Sequence, residues 1–106
     1  MDVNNISEFT KGWIIGNFDP SLIKMKEIEI GVKFFKKGEV ELLHMQIVAT
    51  EITIVIDGQI EMNGNRFSSG QVITIPPGEP ADFLAITDGT LVCVKTPSIP
   101  EDKVVL

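Results

Sequence analysis

Hydrophobic and polar positions alternate along the chain in short runs, and this pattern predicts an all-β fold. From Glu27 onward the runs are rich in Ile, Val, Thr and Phe, and turn dipeptides that contain glycine separate them. Such runs are typical of short antiparallel strands, and no long stretch has a helical period. We therefore predict a β-sandwich or barrel with strands near residues 27–36, 40–48, 51–57, 59–63, 71–75, 81–87 and 90–96.

Turn and breaker residues predict the connections between these strands. Asp57-Gly58 and Asn63-Gly64 readily adopt the positive φ angles of a type I′ turn, so we expect a meander of hairpins around them. Asp19, followed by Pro20, is suited to begin a short helical turn. The two prolines of the tail exclude a central strand after residue 96, but its last three residues are apolar and suited to packing against a neighbouring subunit.

The strand predicted near residues 51–57 is apolar on both sides. Ile52, Ile54 and Ile56 would share one face, with Thr53 and Val55 on the other. We therefore expect both faces to be covered, one by the core and the other by a second surface such as a subunit interface. This favours a homodimer.

Length, composition and charge narrow the class of protein. The chain has 106 residues, of which 43% are hydrophobic and 23% charged, as expected for one globular domain spanning residues 1–106. Its net charge of −6 would repel a nucleic acid backbone, and no cluster of lysine and arginine offsets that charge. The sequence shows neither a membrane-length apolar run nor a secretion signal, so we expect a cytoplasmic protein with no nucleic acid or membrane partner.

Four conspicuous side chains are expected to serve the structure. Cys93 lies in an apolar run with no histidine beside it, which favours a buried thiol. Trp13 and Phe18 are expected in the core, although both would also suit a pocket wall or a dimer edge. Arg66 follows the Asn63-Gly64 turn and is expected to be solvated there, although a lone arginine would also suit an anionic ligand.

The candidate chemistry centres on His44, which is the only histidine. Gln46 lies two residues after it, and Glu51 lies five residues after Gln46. Residues two apart in a strand face the same side, so His44 and Gln46 point together. Glu51 opens the next predicted strand and comes beside them if that strand folds back antiparallel.

The spacing around these residues resembles the two signatures of the cupin superfamily. The first signature is glycine, five residues, His-x-His, three or four residues, glutamate, six residues and glycine. At those positions the chain has Gly38, His44, Gln46, Glu51 and Gly58. The second signature is glycine, five residues, Pro-x-Gly, two residues, histidine, three residues and asparagine. At those positions the chain has Gly70, Pro76-Pro77-Gly78, Ala81 and Ala85.

This resemblance implies a jelly-roll β-barrel, or double-stranded β-helix, with a ligand cavity in its mouth and commonly a homodimeric assembly. Complete cupins hold a divalent metal with three histidines and a glutamate. His44 and Glu51 match two of these ligands, whereas Gln46 and Ala81 replace the other two histidines. One imidazole, one amide and one carboxylate form a weak set, so we expect either no cofactor or a weakly bound Mn, Fe, Ni or Zn ion at His44, Gln46 and Glu51.

The sequence is compatible with three functions. The first is a small-molecule binding protein in which His44, Gln46 and Glu51 contact a sugar or a carboxylate-bearing metabolite at a degraded metal site. The second is a metal-dependent isomerase, epimerase, dioxygenase or lyase that uses the weakened site. The third is an interaction subunit whose barrel serves to dimerise or to dock on a larger protein. The fold does not choose among them, so the sequence leaves open whether the protein is an enzyme.

Overall fold

A computed structural model describes all residues from 1 to 106 and shows an almost entirely β structure. Two short 3₁₀ helices, Ile6–Glu8 and Thr10–Gly12, precede the strands. The strands are β1 Trp13–Gly16, β2 Ile23–Lys24, β3 Glu29–Phe35, β4 Val40–Gln46, β5 Thr50–Asp57, β6 Gln59–Met62, β7 Asn65–Ser68, β8 Val72–Ile75, β9 Ala81–Ala85, β10 Gly89–Thr96 and β11 Lys103–Val105. Neither helix has the length and apolar character that crossing a membrane requires.

The strands form two sheets that pack around one apolar core. The first sheet has the order β2-β1-β3-β10-β5-β8 and the second β11-β4-β9-β6-β7, and all neighbours except β1 and β2 run antiparallel. The core joins Phe35, Val55, Ile75 and Leu91 of the first sheet to Ile60, Met62, Ala81, Phe83 and Ala85 of the second. The predicted all-β jelly-roll barrel is therefore confirmed.

The turns predicted at Asp57-Gly58 and Asn63-Gly64 differ in the structure. Asn63 and Gly64 both have positive φ and join β6 to β7 as a hairpin in which Met62 pairs with Asn65, as predicted. The hairpin predicted at Asp57-Gly58 is wrong, because β5 and β6 lie in different sheets. A side chain at Gly58 would lie 2.5 Å from the Asp88 carbonyl oxygen, so this glycine allows two chain segments to meet where the chain changes sheets.

The seven predicted strands are all present, and four further strands were not predicted. β1, β2, β7 and β11 are short and lie toward the edges of the sheets, where few hydrophobic contacts specify them. The helical turn predicted from Asp19 is wrong, since residues 17–20 form bends instead. The tail contributes β11 at the edge of the second sheet, which agrees with the predicted absence of a central strand.

The outer face of the first sheet is apolar and has no covering layer within the chain. The residues at the outward positions of the central strands β3, β10 and β5 include Ile30, Val32, Phe34, Val92, Val94, Ile52 and Ile54. Phe34 is 64% exposed and Val72, on the neighbouring edge strand, is 61% exposed. The chain itself therefore covers only the inner face of the strand that we expected to be covered on both sides.

Candidate functional site

A cavity of about 640 Å³ lies between the two sheets, and residues of both sheets line it. This volume is within the range typical of small-molecule sites. His44, Gln46 and Glu51 all belong to its wall, so the structure brings the three predicted site residues to one cavity. Ala85, which replaces the asparagine of the second signature, is buried in the core instead.

A β-bulge in β4 sets the orientation of His44. Glu41 pairs with Phe83 and His44 with Ala81, so β4 has one more residue than β9 between these pairs. The Leu42 carbonyl oxygen lies 2.7 Å from the His44 Nδ1 atom. Because a carbonyl can only accept, Nδ1 carries a proton, and in the neutral form of the imidazole Nε2 is the acceptor. The ring is only 5% exposed, so the bulge holds one tautomer in a fixed position.

Glu51, at the start of β5, accepts a hydrogen bond from the neighbouring strand. The Cys93 Sγ atom donates to Glu51 Oε1 at 3.2 Å. Burial, together with the nearby Glu51 carboxylate, raises the pKa of the Cys93 thiol well above its usual range, so the thiol stays protonated and can donate. Cys93 packs against the core but also lines the cavity, which only partly agrees with the purely buried role that was predicted.

Gln46 is buried without any hydrogen-bond partner for its amide group. Its side chain is 4% exposed, and neither Oε1 nor Nε2 has a partner. The only other buried side-chain polar atom without a partner is Oε1 of Glu29, which is also 4% exposed. Both residues belong to the cavity wall. Buried polar groups are nearly always hydrogen-bonded, and the unpartnered atoms of this interior all belong to two residues of one cavity wall.

An inward row of charged residues crosses the first sheet beside Gln46. Lys95 of β10 pairs in register with Glu29 of β3 on one side and with Glu51 of β5 on the other. Burial raises the pKa of Glu29, although Lys95 opposes this shift. The Lys95 ammonium lies 5.0 Å from the centre of the Trp13 ring, which places a cation and an aromatic face on the same wall.

A second charged group occupies another part of the cavity wall. The Lys33 ammonium lies 2.7 Å from Glu41 Oε1 and 3.0 Å from Glu39 Oε2, and it sits 4.4 Å from the centre of the Phe83 ring. Burial alone would lower the pKa of Lys33, but its hydrogen bonds to Glu41 and Glu39 outweigh burial and raise it. Burial would likewise raise the pKa of Glu41, yet Lys33 lowers it. This group is satisfied internally and serves to close the barrel.

The sequence did not identify four charged residues of the cavity wall, and it placed two aromatic residues of the wall in the core. Glu29, Lys33 and Lys95 sit at alternate positions of strands whose apolar positions point outward, and Glu41 turns inward only because of the bulge. The alternation of charged and apolar residues in these strands shows that the charged residues share one face. Alternation alone, however, favours placing the apolar face inward, so it does not predict that the charged face lines the cavity. Trp13 and Phe18 line the cavity and are not part of the core cluster, so the prediction that places them in the core is wrong. Arg66 is exposed, as predicted.

The residues present do not fit a tightly held metal ion. No group of three His, Cys, Asp or Glu side chains has the arrangement to hold one. Ala81 lies directly opposite His44 in the ladder between β4 and β9 and presents only a methyl group. The Gln46 amide is neutral, and a thiol hydrogen bond occupies Oε1 of Glu51.

No protein-family model matches the sequence, and no curated protein sequence matches it either. Solved structures match its fold. An RmlC-like cupin from Shewanella frigidimarina NCIMB 400 has a TM-score of 0.65 and 22% identity, over 73% of this chain and 71% of that one. A protein with a double-stranded β-helix domain from Klebsiella pneumoniae has a TM-score of 0.72 and 14% identity, over 97% and 89%. Oxalate oxidase in complex with the substrate analogue glycolate has a TM-score of 0.63 and 19% identity, over 76% and 46%. The chain therefore has the cupin fold that its two glycine and proline signatures predicted.

Proposed function

We propose that the protein binds a small polar metabolite in the cavity between its sheets, through His44, Gln46 and Glu51. One observation carries this proposal: the three buried side-chain atoms without partners all belong to Gln46 and Glu29 on the cavity wall. Leaving such a group unsatisfied costs about 1–3 kcal/mol of folding free energy. A ligand that hydrogen-bonds to these atoms would remove that cost and gain affinity from it.

The polar groups on the cavity wall favour ligand binding over metal-dependent chemistry. His44 offers a single acceptor nitrogen, Gln46 offers both a donor and an acceptor, and Glu51 offers carboxylate oxygens. Such a set suits the hydroxyl and carboxyl groups of a sugar or a carboxylate-bearing metabolite. The complex of oxalate oxidase with glycolate supports this, because it is a protein of the same fold that holds a small carboxylate.

Replacing Gln46 with leucine tests the proposal. Gln46→Leu keeps a side chain of similar length but removes both unpartnered atoms, so the apo protein should become more stable by about 1 kcal/mol. Ligand-induced stabilisation should be lost at the same time. Thermal shift with a panel of sugars and organic acids measures both quantities on the same samples.

Gln59→Leu is the matched control, because Gln59 is exposed and its side chain has no hydrogen bond within the chain. It should change neither the stability of the apo protein nor the ligand response. If Gln46→Leu binds the panel as the natural protein does, the amide is not part of the site and the proposal is wrong. A destabilised Gln46→Leu would show that buried water, and not a ligand, satisfies the amide in solution.

We also propose that a second copy of the chain covers the outer face of the first sheet. Most outward positions of β3, β10 and β5 hold an aliphatic residue, phenylalanine or threonine. The outward positions from Ile30 to Phe34 and from Ile52 to Ile54 hold no charged residue. A chain with a net charge of −6 repels its own copies elsewhere, so an uncharged face is where two copies can approach. A sheet face that packs on its own copy gives a closed twofold dimer.

A further inference from the structure

Lys95 is a cation on the cavity wall that the chain leaves without an ion-pair partner. The ion pairs of the structure involve Lys24 and Lys33, and none involves Lys95. Its register neighbours Glu29 and Glu51 are both acidic, yet its ammonium lies by the Trp13 ring. An ammonium in this position can form a charge-assisted hydrogen bond with an anionic ligand group.

Glu29 requires that the ligand also carry a hydrogen-bond donor. Glu29 belongs to the cavity wall, and its Oε1 atom is buried and has no donor within the chain. A carboxylate oxygen accepts, so the ligand group that meets it must carry a hydrogen, as a hydroxyl does. Neither Glu29 nor Lys95 belongs to the signature positions, and both face the same cavity as Gln46.

The charges of the row also limit the ligand's charge. Lys95 stands between two acidic residues in the register of the sheet, so a ligand with several negative charges would be repelled by Glu29 and Glu51. A single carboxylate at Lys95, with hydroxyl groups at Glu29 and Gln46, would meet the Lys95 ammonium and the three buried atoms that have no partner within the chain.

We propose that the cavity binds a monocarboxylic acid with several hydroxyl groups, such as a sugar acid, with its carboxylate at Lys95 beside Trp13 and a hydroxyl at the Glu29 Oε1 atom. This inference rests on the proposed binding function and deepens it. It names Lys95 and Glu29 as residues that select the ligand, whereas His44, Gln46 and Glu51 provide the general polar contacts.

Three open-chain six-carbon probes separate the two requirements. Gluconate carries the carboxylate and the hydroxyl groups, sorbitol carries only the hydroxyl groups, and hexanoate carries only the carboxylate. Calorimetric titration of the natural protein should show binding of gluconate at least about tenfold tighter than of either other probe, because each loses one set of hydrogen bonds.

Two variants test the residue assignments. Lys95→Met keeps an unbranched side chain and should weaken gluconate binding about tenfold while leaving sorbitol unchanged, and Lys95→Arg should restore most of the loss. Glu29→Gln, which is nearly isosteric, should weaken gluconate and sorbitol, because a hydroxyl group of each loses its carboxylate acceptor. It should not weaken hexanoate, because removing the Glu29 charge lessens the repulsion of the hexanoate carboxylate. Lys36→Met is the matched control, because Lys36 is exposed and lies outside the cavity wall, and it should bind like the natural protein.

The outcomes distinguish this inference from the proposed function. If sorbitol or hexanoate binds as tightly as gluconate, and Gln46→Leu abolishes that binding, then the binding function stands and the assignment of the ligand class is wrong. If gluconate binding survives both Lys95→Met and Glu29→Gln, the residue assignment is wrong. Failure of all three probes to bind the natural protein overturns the inference outright. A melting scan of each variant shows whether a lost affinity reflects lost folding.

Discussion

Ala81 lies opposite His44 in the ladder between β4 and β9, and its methyl group occupies the position from which another side chain would meet the imidazole. Gln46 lies on the same strand as His44 and presents a neutral amide to the cavity. These two residues stand at the positions where the complete signatures would have two further histidines. They offer a methyl group and a neutral amide in place of two imidazoles.

Restoring the two imidazoles should restore metal binding. We expect the double variant Gln46→His/Ala81→His to retain about one zinc or nickel ion per chain after incubation and desalting, because both positions adjoin His44. The natural protein, purified without a chelator or a histidine tag, should retain clearly less when incubated with ferrous iron, manganese, nickel or zinc. Elemental analysis measures both.

Adding His44→Ala to the double variant provides the control, since loss of the ion shows that it binds at this site. Stoichiometric metal in the natural protein that disappears in His44→Ala would contradict the weak donor set and favour a metal-dependent enzyme. Metal that survives His44→Ala would place its site elsewhere in the chain.

Glu29 should make the protein less stable as the pH rises. Burial raises its pKa above the usual value of 4.5, and Asp102 adds to this shift. Lys95 and hydrogen bonds from the Ile99 backbone and the Ser98 side chain oppose the shift without cancelling it. Between 4.5 and the raised value the native state holds a proton that the unfolded state has lost, so the free energy of unfolding falls as the pH increases through this window. It then stays lower at neutral pH.

Glu29→Gln cannot ionise and should lack this decrease. Below pH 4.5 the variant and the natural protein should have similar stability, and the advantage of the variant should grow across the window to a constant value. Urea denaturation at a series of pH values gives the two curves. Parallel curves would show that Glu29 ionises with the same pKa in the folded and unfolded chain.

At the scale of the strand, the central part of the first sheet is amphipathic in an inverted sense. Glu29, Lys33, Lys95 and Glu51 point into the barrel, whereas the aliphatic residues between them point outward. A sheet with one solvated face normally turns its apolar side inward. The inversion is consistent with a polar ligand inside and a protein partner outside, and it links the cavity to the apolar outer surface.

The same inversion explains what the sequence could and could not predict. The strand positions follow from turn residues and β-branched runs, and the sharing of one face by His44 and Gln46 follows from their spacing. The direction of each face is a property of the assembled barrel, so Glu29 and Lys95 could not be assigned from alternation alone. Glu41 required knowledge of the bulge at residues 42–43, and Trp13 lies on a short strand that only tertiary contacts specify.

The loop between β4 and β5 positions the site through an anchor in the tail. Asp102 is 5% exposed, and its carboxylate accepts hydrogen bonds from the backbone N–H groups of Val48 and Ala49 at 2.8–3.0 Å. This loop directly follows Gln46 and precedes Glu51 by two residues. The tail therefore fixes the distance between two residues of the proposed binding site.

Removing this anchor should loosen both the fold and the site. Asp102→Ala should lower the free energy of unfolding by about 2–3 kcal/mol, because the buried N–H of Ala49 and the part-buried N–H of Val48 lose a charged acceptor. Asp102→Asn keeps one acceptor oxygen and should lose less, and Glu101→Ala, at the exposed neighbouring residue, should change nothing. Chemical denaturation measures these differences. Equal stability of Asp102→Ala and the natural protein would show that water replaces the carboxylate without cost.

At the scale of the whole molecule, the outer face of the first sheet is the surface that we propose binds a second copy. Its apolar residues lie across the six strands of the sheet, from Ile23 on β2 to Val72 on β8. Contiguous apolar surface of this kind marks association sites in globular proteins.

A lysine placed at the centre of this face should separate the proposed dimer. Val92 lies outward on β10, between β3 and β5, so Val92→Lys would bury a charge in each subunit of a twofold interface. We expect light scattering after gel filtration to give half the mass of the natural protein. Leu42→Lys, at an exposed apolar residue of the second sheet, should leave the mass unchanged. Equal masses for the natural protein and both variants would contradict the proposed interface.

The position of Trp13 makes the occupancy of the cavity optically visible. It is the only tryptophan, and the chain has no tyrosine, so the near-ultraviolet emission of the protein comes almost entirely from one indole on the cavity wall. The Lys95 ammonium lies close to that ring, and an anion that draws the ammonium away would change the electric field across the indole. Titration with the proposed ligand can therefore be followed through the emission of Trp13, without any added label.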